Sequence, residues 1–130
     1  MIPYWMSRTQ LMLGDEKVEN LRKKSVLVIG LGGVGGICAE MIARAGVGKM
    51  TIVDNDTVDA SNINRQIHAL TTTLGKSKVI AMKERMLEIN PACEIHTVDD
   101  FISNENIHLP SIFTLANAVI IAGTRSMIRS

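Results

Sequence analysis

Three groups of residues in this sequence have the types and spacing to do chemistry on a nucleotide. The first is Gly30-Leu-Gly-Gly-Val-Gly35, where Gly30, Gly32 and Gly35 fit G-x-G-x-x-G, with Gly33 and Gly36 making the loop smaller still. In such a loop the first glycine permits a tight turn, the second lets backbone N–H groups approach a phosphate, and the third lets helix and strand pack closely. A helix N-terminus behind the loop adds about half a positive charge aimed at the anion. The second is Asp54, where a carboxylate can accept hydrogen bonds from ribose hydroxyls. An acid there argues against NADP and leaves NAD and ATP equal, because both carry an adenosine ribose. The third is a polar set: Asp54-Asn-Asp56, then Ser61-Asn62-Ile-Asn64-Arg65-Gln66, then Gly75-Lys76-Ser-Lys78. Arginine offers a planar fork to phosphate oxygens and lysine a point charge. Together they could neutralise a triphosphate during attack at its α-phosphorus. A dehydrogenase has no need of that set, so the chain suits ATP better than NAD.

These groups need a scaffold that brings them together, and the hydrophobic pattern supplies one. Ser25 to Gly30 is a fully apolar run of the kind buried in a parallel sheet. A helix is expected over Ile37–Ala45, stopped by Gly46 and Gly48. Lys49–Asp54 reads as a second strand and Asn55–Gly75 as a long polar loop, a length that usually signals function or motion. Val79, Met82, Met86 and Ile89 give Lys76–Asn90 a helical apolar stripe. Strands follow at Glu94–Val98 and Ala116–Ala122, and a short helix is expected over Asp15–Lys23. The order predicts an α/β protein: a Rossmann-like parallel sheet with helices on both faces, ending after about four strands. Residues 1–24 read as an N-terminal helical arm and residues 25–130 as an incomplete nucleotide-binding domain.

Composition narrows the class. The chain has 130 residues, 46% hydrophobic and 21% charged, which suits one ordinary globular domain. A net charge of +1 gives no global pull toward nucleic acid or membrane. Aromatics are only 3%, so Ile, Val, Leu, Ala and the eight methionines must fill the core. Cys38 and Cys93 form no C-x-x-C pair, and His68, His96 and His108 have no ligand spacing with them, so no metal site is expected. The cytosol is the natural location, without a signal pattern at the N-terminus or a membrane-length apolar run.

The set Gly30-x-Gly-Gly-x-Gly35, Asp54-x-Asp56-x-Val58, Ser61-Asn-Ile-Asn-Arg-Gln66 and Lys78-Val79 resembles the adenylation fold of the ubiquitin-activating superfamily, which includes the bacterial ThiF, MoeB and HesA proteins. Within it, Arg8–Gly14, Asn64–Leu70 and the run Met82 to Pro91 are similar to the tRNA threonylcarbamoyladenosine dehydratase branch. The similarity runs from Arg8 to Asn106. It implies that ATP, with Mg2+, activates a carboxylate as an acyl-adenylate. In the dehydratase branch that carboxylate belongs to a modified tRNA adenosine, whose own nitrogen then displaces AMP and closes a ring. The resemblance further implies that Gly30, Gly32, Gly33 and Gly35 line the nucleotide and that Asp54 holds its ribose. Asn62, Arg65 and Lys78 would contact phosphates, while Gln66 and Asp56 sit in the motif with no assigned chemistry. Arg8 matches an arginine that reaches the neighbouring subunit's ATP in family homodimers.

The sequence also departs from the family. Thr124 falls where an aspartate that helps hold magnesium–ATP should stand, and the resemblance fades from His108. A sheet cut off after its fourth strand is expected to expose apolar surface and to associate. Three alternatives stay open: an adenylating enzyme for a sulfur-carrier protein, with partners of the carrier or cysteine-desulfurase system; an NAD-dependent oxidoreductase; and a non-catalytic nucleotide-binding fragment.

Overall fold

The computed structural model describes residues 1–106 and 116–122. Four parallel strands form one sheet: β1 (Ser25–Ile29), β2 (Lys49–Val53), β3 (Glu94–Val98) and β4 (Ala118–Ile121), in the spatial order β3-β2-β1-β4. Ile29 stands in register with Val53 on one side and Ile121 on the other, so the three strands end level. β1 is apolar from Val26 to Ile29 because both of its faces are covered. Val26 and Val28 pack with Met50, Ile52 and Ile95 on one face, while Leu27 and Ile29 pack with Val53 and Ile102 on the other.

Four helices accompany the sheet: α1 (Ser7–Leu13), α2 (Asp15–Leu21), α3 (Gly33–Ala45) and α4 (Lys78–Ile89). The β1-α3-β2 and β2-α4-β3 crossovers step the same way across the sheet, and a right-handed crossover then places both helices on one face. The core agrees: Ala39 and Ala43 of α3 and Val79, Met82 and Met86 of α4 all join the Val26–Val28 cluster. Buried Glu40 on α3 binds the guanidinium groups of Arg85 on α4 and of Arg44 one turn on, which ties the two helices together.

Helix boundaries differ from the expected ones for local reasons. α3 begins at Gly33, not Ile37, because the small loop residues continue directly into the first turn. The arm holds two helices, not one, broken at Gly14 with φ 86°. α4 begins at Lys78, after Val58 and Gly75 have bonded the preceding loop back on itself. That loop, residues 55–75, is anchored: Val58 and Ala69 are buried with Ala81, and Asp59 caps a 3-10 turn at Ala60–Asn62.

The arm packs on the body. Val18 is fully buried, and Met6 occupies the space a side chain at Gly46 would take. Among the described residues no helix is long and apolar enough to cross a membrane.

Candidate nucleotide site

The strand order turns at β1, which has β2 on one side and the sequence-distant β4 on the other. In parallel α/β sheets ligands bind at such a switch point, beyond the carboxyl ends of the strands. The glycine loop leaves β1 there. Gly30 takes φ 95°, a backbone that residues with a side chain rarely adopt. At Gly35 a Cβ would lie 1.7 Å from the Gly30 carbonyl oxygen, so only glycine lets α3 start this close to β1. No side chain caps α3, and its first hydrogen bond runs from the Gly36 N–H to the Gly32 carbonyl. Among the described residues the N–H groups of Gly32, Gly33, Val34 and Gly35 therefore donate to nothing, which leaves a row of free donors at a helix N-terminus.

Asp54 directly follows β2 and is 4% exposed. One carboxylate oxygen accepts the Leu31 N–H at 2.7 Å and the other accepts the Asp56 N–H at 2.8 Å. The first bond ties the glycine loop to the second strand. The second is an Asx turn, the local geometry that an aspartate two residues ahead of a turn favours.

The Asn62–His68 segment lies beside the loop. The Arg65 carbonyl would sit 3.6 Å from a Cβ at Gly33, and Gln66 Nε2 would sit 4.0 Å from one at Gly32. Asn62 is buried and accepts the Asp59 N–H through Oδ1 at 2.8 Å, which closes the 3-10 turn. Arg65 is exposed, and Nη1 donates to the Ser61 carbonyl and to Asn64 Oδ1. Gln66 is buried with its Oε1 unpaired. Lys78 opens α4, is 7% exposed along its side chain, and has its ammonium 3.6 Å from an Asp56 oxygen. That distance is an ion pair without a hydrogen bond. A buried lysine with one distant partner and a row of free N–H groups form a cradle suited to a polyanion. The donor set fits a nucleotide.

The structure therefore brings Gly30, Gly32, Gly33, Gly35, Asp54, Asp56, Asn62, Arg65, Gln66 and Lys78 to one end of the sheet. Arg8 is elsewhere. It lies two residues beyond Met6, which packs on Gly46 at the far end of α3. A helix of 13 residues is about 20 Å long at 1.5 Å per residue, too far for Arg8 to reach the glycine loop of its own chain. Arg8 is exposed and makes no hydrogen bond or ion pair among the described residues. Thr124 lies outside the described residues, as does His108.

His68 was not distinguishable from a plain core histidine in sequence. It is 1% exposed, and its Nε2 donates to the Leu31 carbonyl at 2.6 Å while Nδ1 has no partner. A carbonyl only accepts, so Nε2 carries the proton. Burial, with Lys78 and Arg85 adding to it, holds the ring below its ordinary pKa of 6.5, against the pull of the Leu31 bond and Asp54. Cys93 is buried and its thiol is pushed up to about 11 by burial and by Glu94, which makes it a poor nucleophile. Among the described residues no group of three His, Cys, Asp or Glu side chains is placed to hold a metal ion.

A Rossmann-like sheet of order 3-2-1-4 with this loop and polar set defines a nucleotide-binding α/β protein, and the chain belongs to the ThiF family, whose pattern it matches over residues 6–128. It is similar to the tRNA threonylcarbamoyladenosine dehydratase of Bacillus subtilis, at 48% identity over 99 residues, covering 76% of this chain and 39% of that one. Its fold is also that of the Escherichia coli tRNA N6-threonylcarbamoyladenosine dehydratase in complex with ATP, with a TM-score of 0.86 and 36% identity over 91% of this chain and 48% of that one. A more distant likeness is to a probable molybdopterin-synthase adenylyltransferase of Porphyra purpurea, at 38% identity over 91 residues, covering 70% of this chain and 24% of that one. The chain thus spans about two fifths of the length of the dehydratase relative.

Proposed function

We propose that this chain provides the ATP-binding part of an enzyme that adenylates a carboxylate, and that the carboxylate is that of threonylcarbamoyladenosine in tRNA. One observation carries the reading: Gln66 and Arg65 lie beside Gly32 and Gly33, whose N–H groups are free among the described residues, with Lys78 at the same end of the sheet. Cationic and amide donors gathered at one end of the sheet suit a phosphate chain, and a dehydrogenase would need none of them. The likeness to the ATP complex of the Escherichia coli dehydratase supports ATP as the nucleotide.

In this reading the glycine-loop N–H groups bind phosphate, and Arg65 and Lys78 neutralise the charge that grows as a carboxylate oxygen attacks the α-phosphorus. The bond to pyrophosphate breaks and an acyl-adenylate forms. Asn62 Nδ2, uncommitted among the described residues, donates to a phosphate oxygen. Asp54 accepts a ribose hydroxyl on the lone pair each of its oxygens keeps. A nitrogen of the modified base then attacks the acyl carbon, AMP leaves, and the nitrogen's proton passes to solvent. Mg2+ enters with the triphosphate. Arg8 acts in trans, on the nucleotide of a second subunit in a homodimer, since it stands too far from its own loop. Two free cysteines suit the cytosol.

Adenylation chemistry is shared with the sulfur-carrier enzymes, so the acceptor decides between them. The chain is incubated with ATP, Mg2+ and either tRNA bearing threonylcarbamoyladenosine or a carrier protein with a free C-terminal carboxylate. The expected result is AMP and pyrophosphate released only with the tRNA, with one water lost from its modified nucleoside by mass. AMP released with the carrier alone contradicts the tRNA assignment, and none with either contradicts an active chain.

A further inference from the structure

The two peptide units that flank the Leu31 Cα are each held by a buried side chain. Asp54 accepts its N–H at 2.7 Å and His68 Nε2 donates to its carbonyl at 2.6 Å. The imidazole is wedged beneath the loop: its Cδ2 would be 3.5 Å from a Cβ at Gly36 of α3, and the ring is 1% exposed. In a trans peptide the carbonyl and the following N–H point in opposite directions. Holding the Leu31 carbonyl inward onto His68 therefore turns the Gly32 N–H outward. Gly32 is the position whose N–H is unpaired among the described residues and whose surroundings are open, with Gln66 Nε2 at 4.0 Å from a built Cβ as the nearest neighbour.

We propose that His68 is a positioning residue of the nucleotide site: through its Nε2–H bond to the Leu31 carbonyl it sets the Leu31–Gly32 peptide so that the Gly32 N–H faces the phosphates. The proposal rests on the ATP-binding reading for its ligand and on the peptide geometry for its mechanism. His68 touches no nucleotide atom. It acts on the phosphate end and leaves the adenosine end alone, which separates it from a general structural role.

Two substitutions divide the possibilities. His68→Leu fills most of the volume without a donor, while His68→Gln returns an amide N–H near the place of Nε2. The full chain and both variants, shown folded by circular dichroism, are titrated with ATP and with adenosine. We expect His68→Leu to weaken ATP binding at least tenfold with adenosine affinity within twofold of wild type, and His68→Gln to recover ATP binding to within threefold. Equal losses for ATP and adenosine, or no loss for ATP, would overturn the proposal. A second readout needs no ligand: the amide resonances of Gly32 and Gly33 shift in His68→Leu and return in His68→Gln. Unmoved amides in His68→Leu overturn the positioning role whatever ATP does. A wild-type chain that binds no ATP overturns the nucleotide reading instead, and the amide resonances then decide the role of His68 alone. A His68→Leu chain that does not fold leaves His68→Gln to decide: wild-type amide positions support the role, and displaced ones contradict it.

Discussion

At the scale of single residues, the site is held by groups whose protonation the fold has chosen. His68 is neutral in the folded chain, where burial beside Lys78 and Arg85 holds it below the 6.5 it has when free, with Asp54 the one nearby carboxylate pulling the other way. The unfolded chain therefore binds more protons than the folded chain as pH falls through that value. The stabilising contribution of a neutral His68 is complete above about pH 6.5 and is lost progressively below it. Urea unfolding at pH 7.5 and 5.5 should show a larger loss of stability on acidification for wild type than for His68→Gln, which has no titrating group there. Equal losses would contradict a buried neutral imidazole. The proposed site residues were legible as a set: no single lysine or asparagine pointed to a phosphate site, but their order did, and the structure brings them to one end of the sheet. What sequence could not supply is the second partner of each. Asp54 binds the Leu31 N–H across 23 residues and His68 binds the Leu31 carbonyl across 37, contacts that follow only from folding, while the Asp54 bond to the Asp56 N–H is local. The Asx-turn spacing of Asp54 and Asp56 was the one local signal of them.

Elements obey simpler rules, and most were readable. β1 appears where its apolar run places it, β2 and β3 fall within the strands expected over residues 49–54 and 94–98, and α4 follows its methionine stripe. The misplaced boundaries all fall at glycines or at turns. Glycine lacks a side-chain pattern to read, so the start of α3 at Gly33 and the break at Gly14 had no periodic signal. The loop glycines nonetheless have different duties that a single methyl group separates. A Cβ at Gly35 would meet the Gly30 carbonyl oxygen at 1.7 Å, whereas one at Gly33 meets the Arg65 carbonyl at 3.6 Å and its Cγ at 3.8 Å, both ordinary contacts. Gly35→Ala must push α3 off β1, and overpacking of this kind costs about 1–3 kcal/mol or more. Gly33→Ala adds a methyl in the first turn of a helix, where alanine is favoured over glycine by up to about 1 kcal/mol. Thermal unfolding should give Gly35→Ala a lower midpoint, by roughly 5 °C or more, and leave Gly33→Ala near wild type with weakened nucleotide binding. A Gly35→Ala chain as stable as wild type would contradict the close approach of helix and strand.

For the whole molecule, the described residues form a sheet whose switch point carries the proposed phosphate cradle, with an arm on the opposite end that presents Arg8 away from that cradle. β4 lies at the edge of the sheet with Val119 and Ile121 exposed, and α3 shows Val34, Ile37 and Met41 on its outer face. Surface of that kind is suited to burial by further chain or a second copy, in keeping with a chain that covers about two fifths of its dehydratase relative. The fold at this scale was legible from the alternation of strand and helix. The place of Arg8 was not, because only packing of Met6 on Gly46 reveals which end of α3 it occupies. The central claim, that the cradle at the β1 switch point is built for a triphosphate, is tested most directly by calorimetric titration of the full chain with magnesium–ATP and, separately, NAD, in parallel with Arg65→Ala and Lys78→Ala. The account predicts ATP binding that each variant weakens about tenfold, the loss of roughly 1.4 kcal/mol expected when one charge-assisted phosphate contact is removed, and no NAD binding. NAD binding indifferent to both substitutions would contradict it.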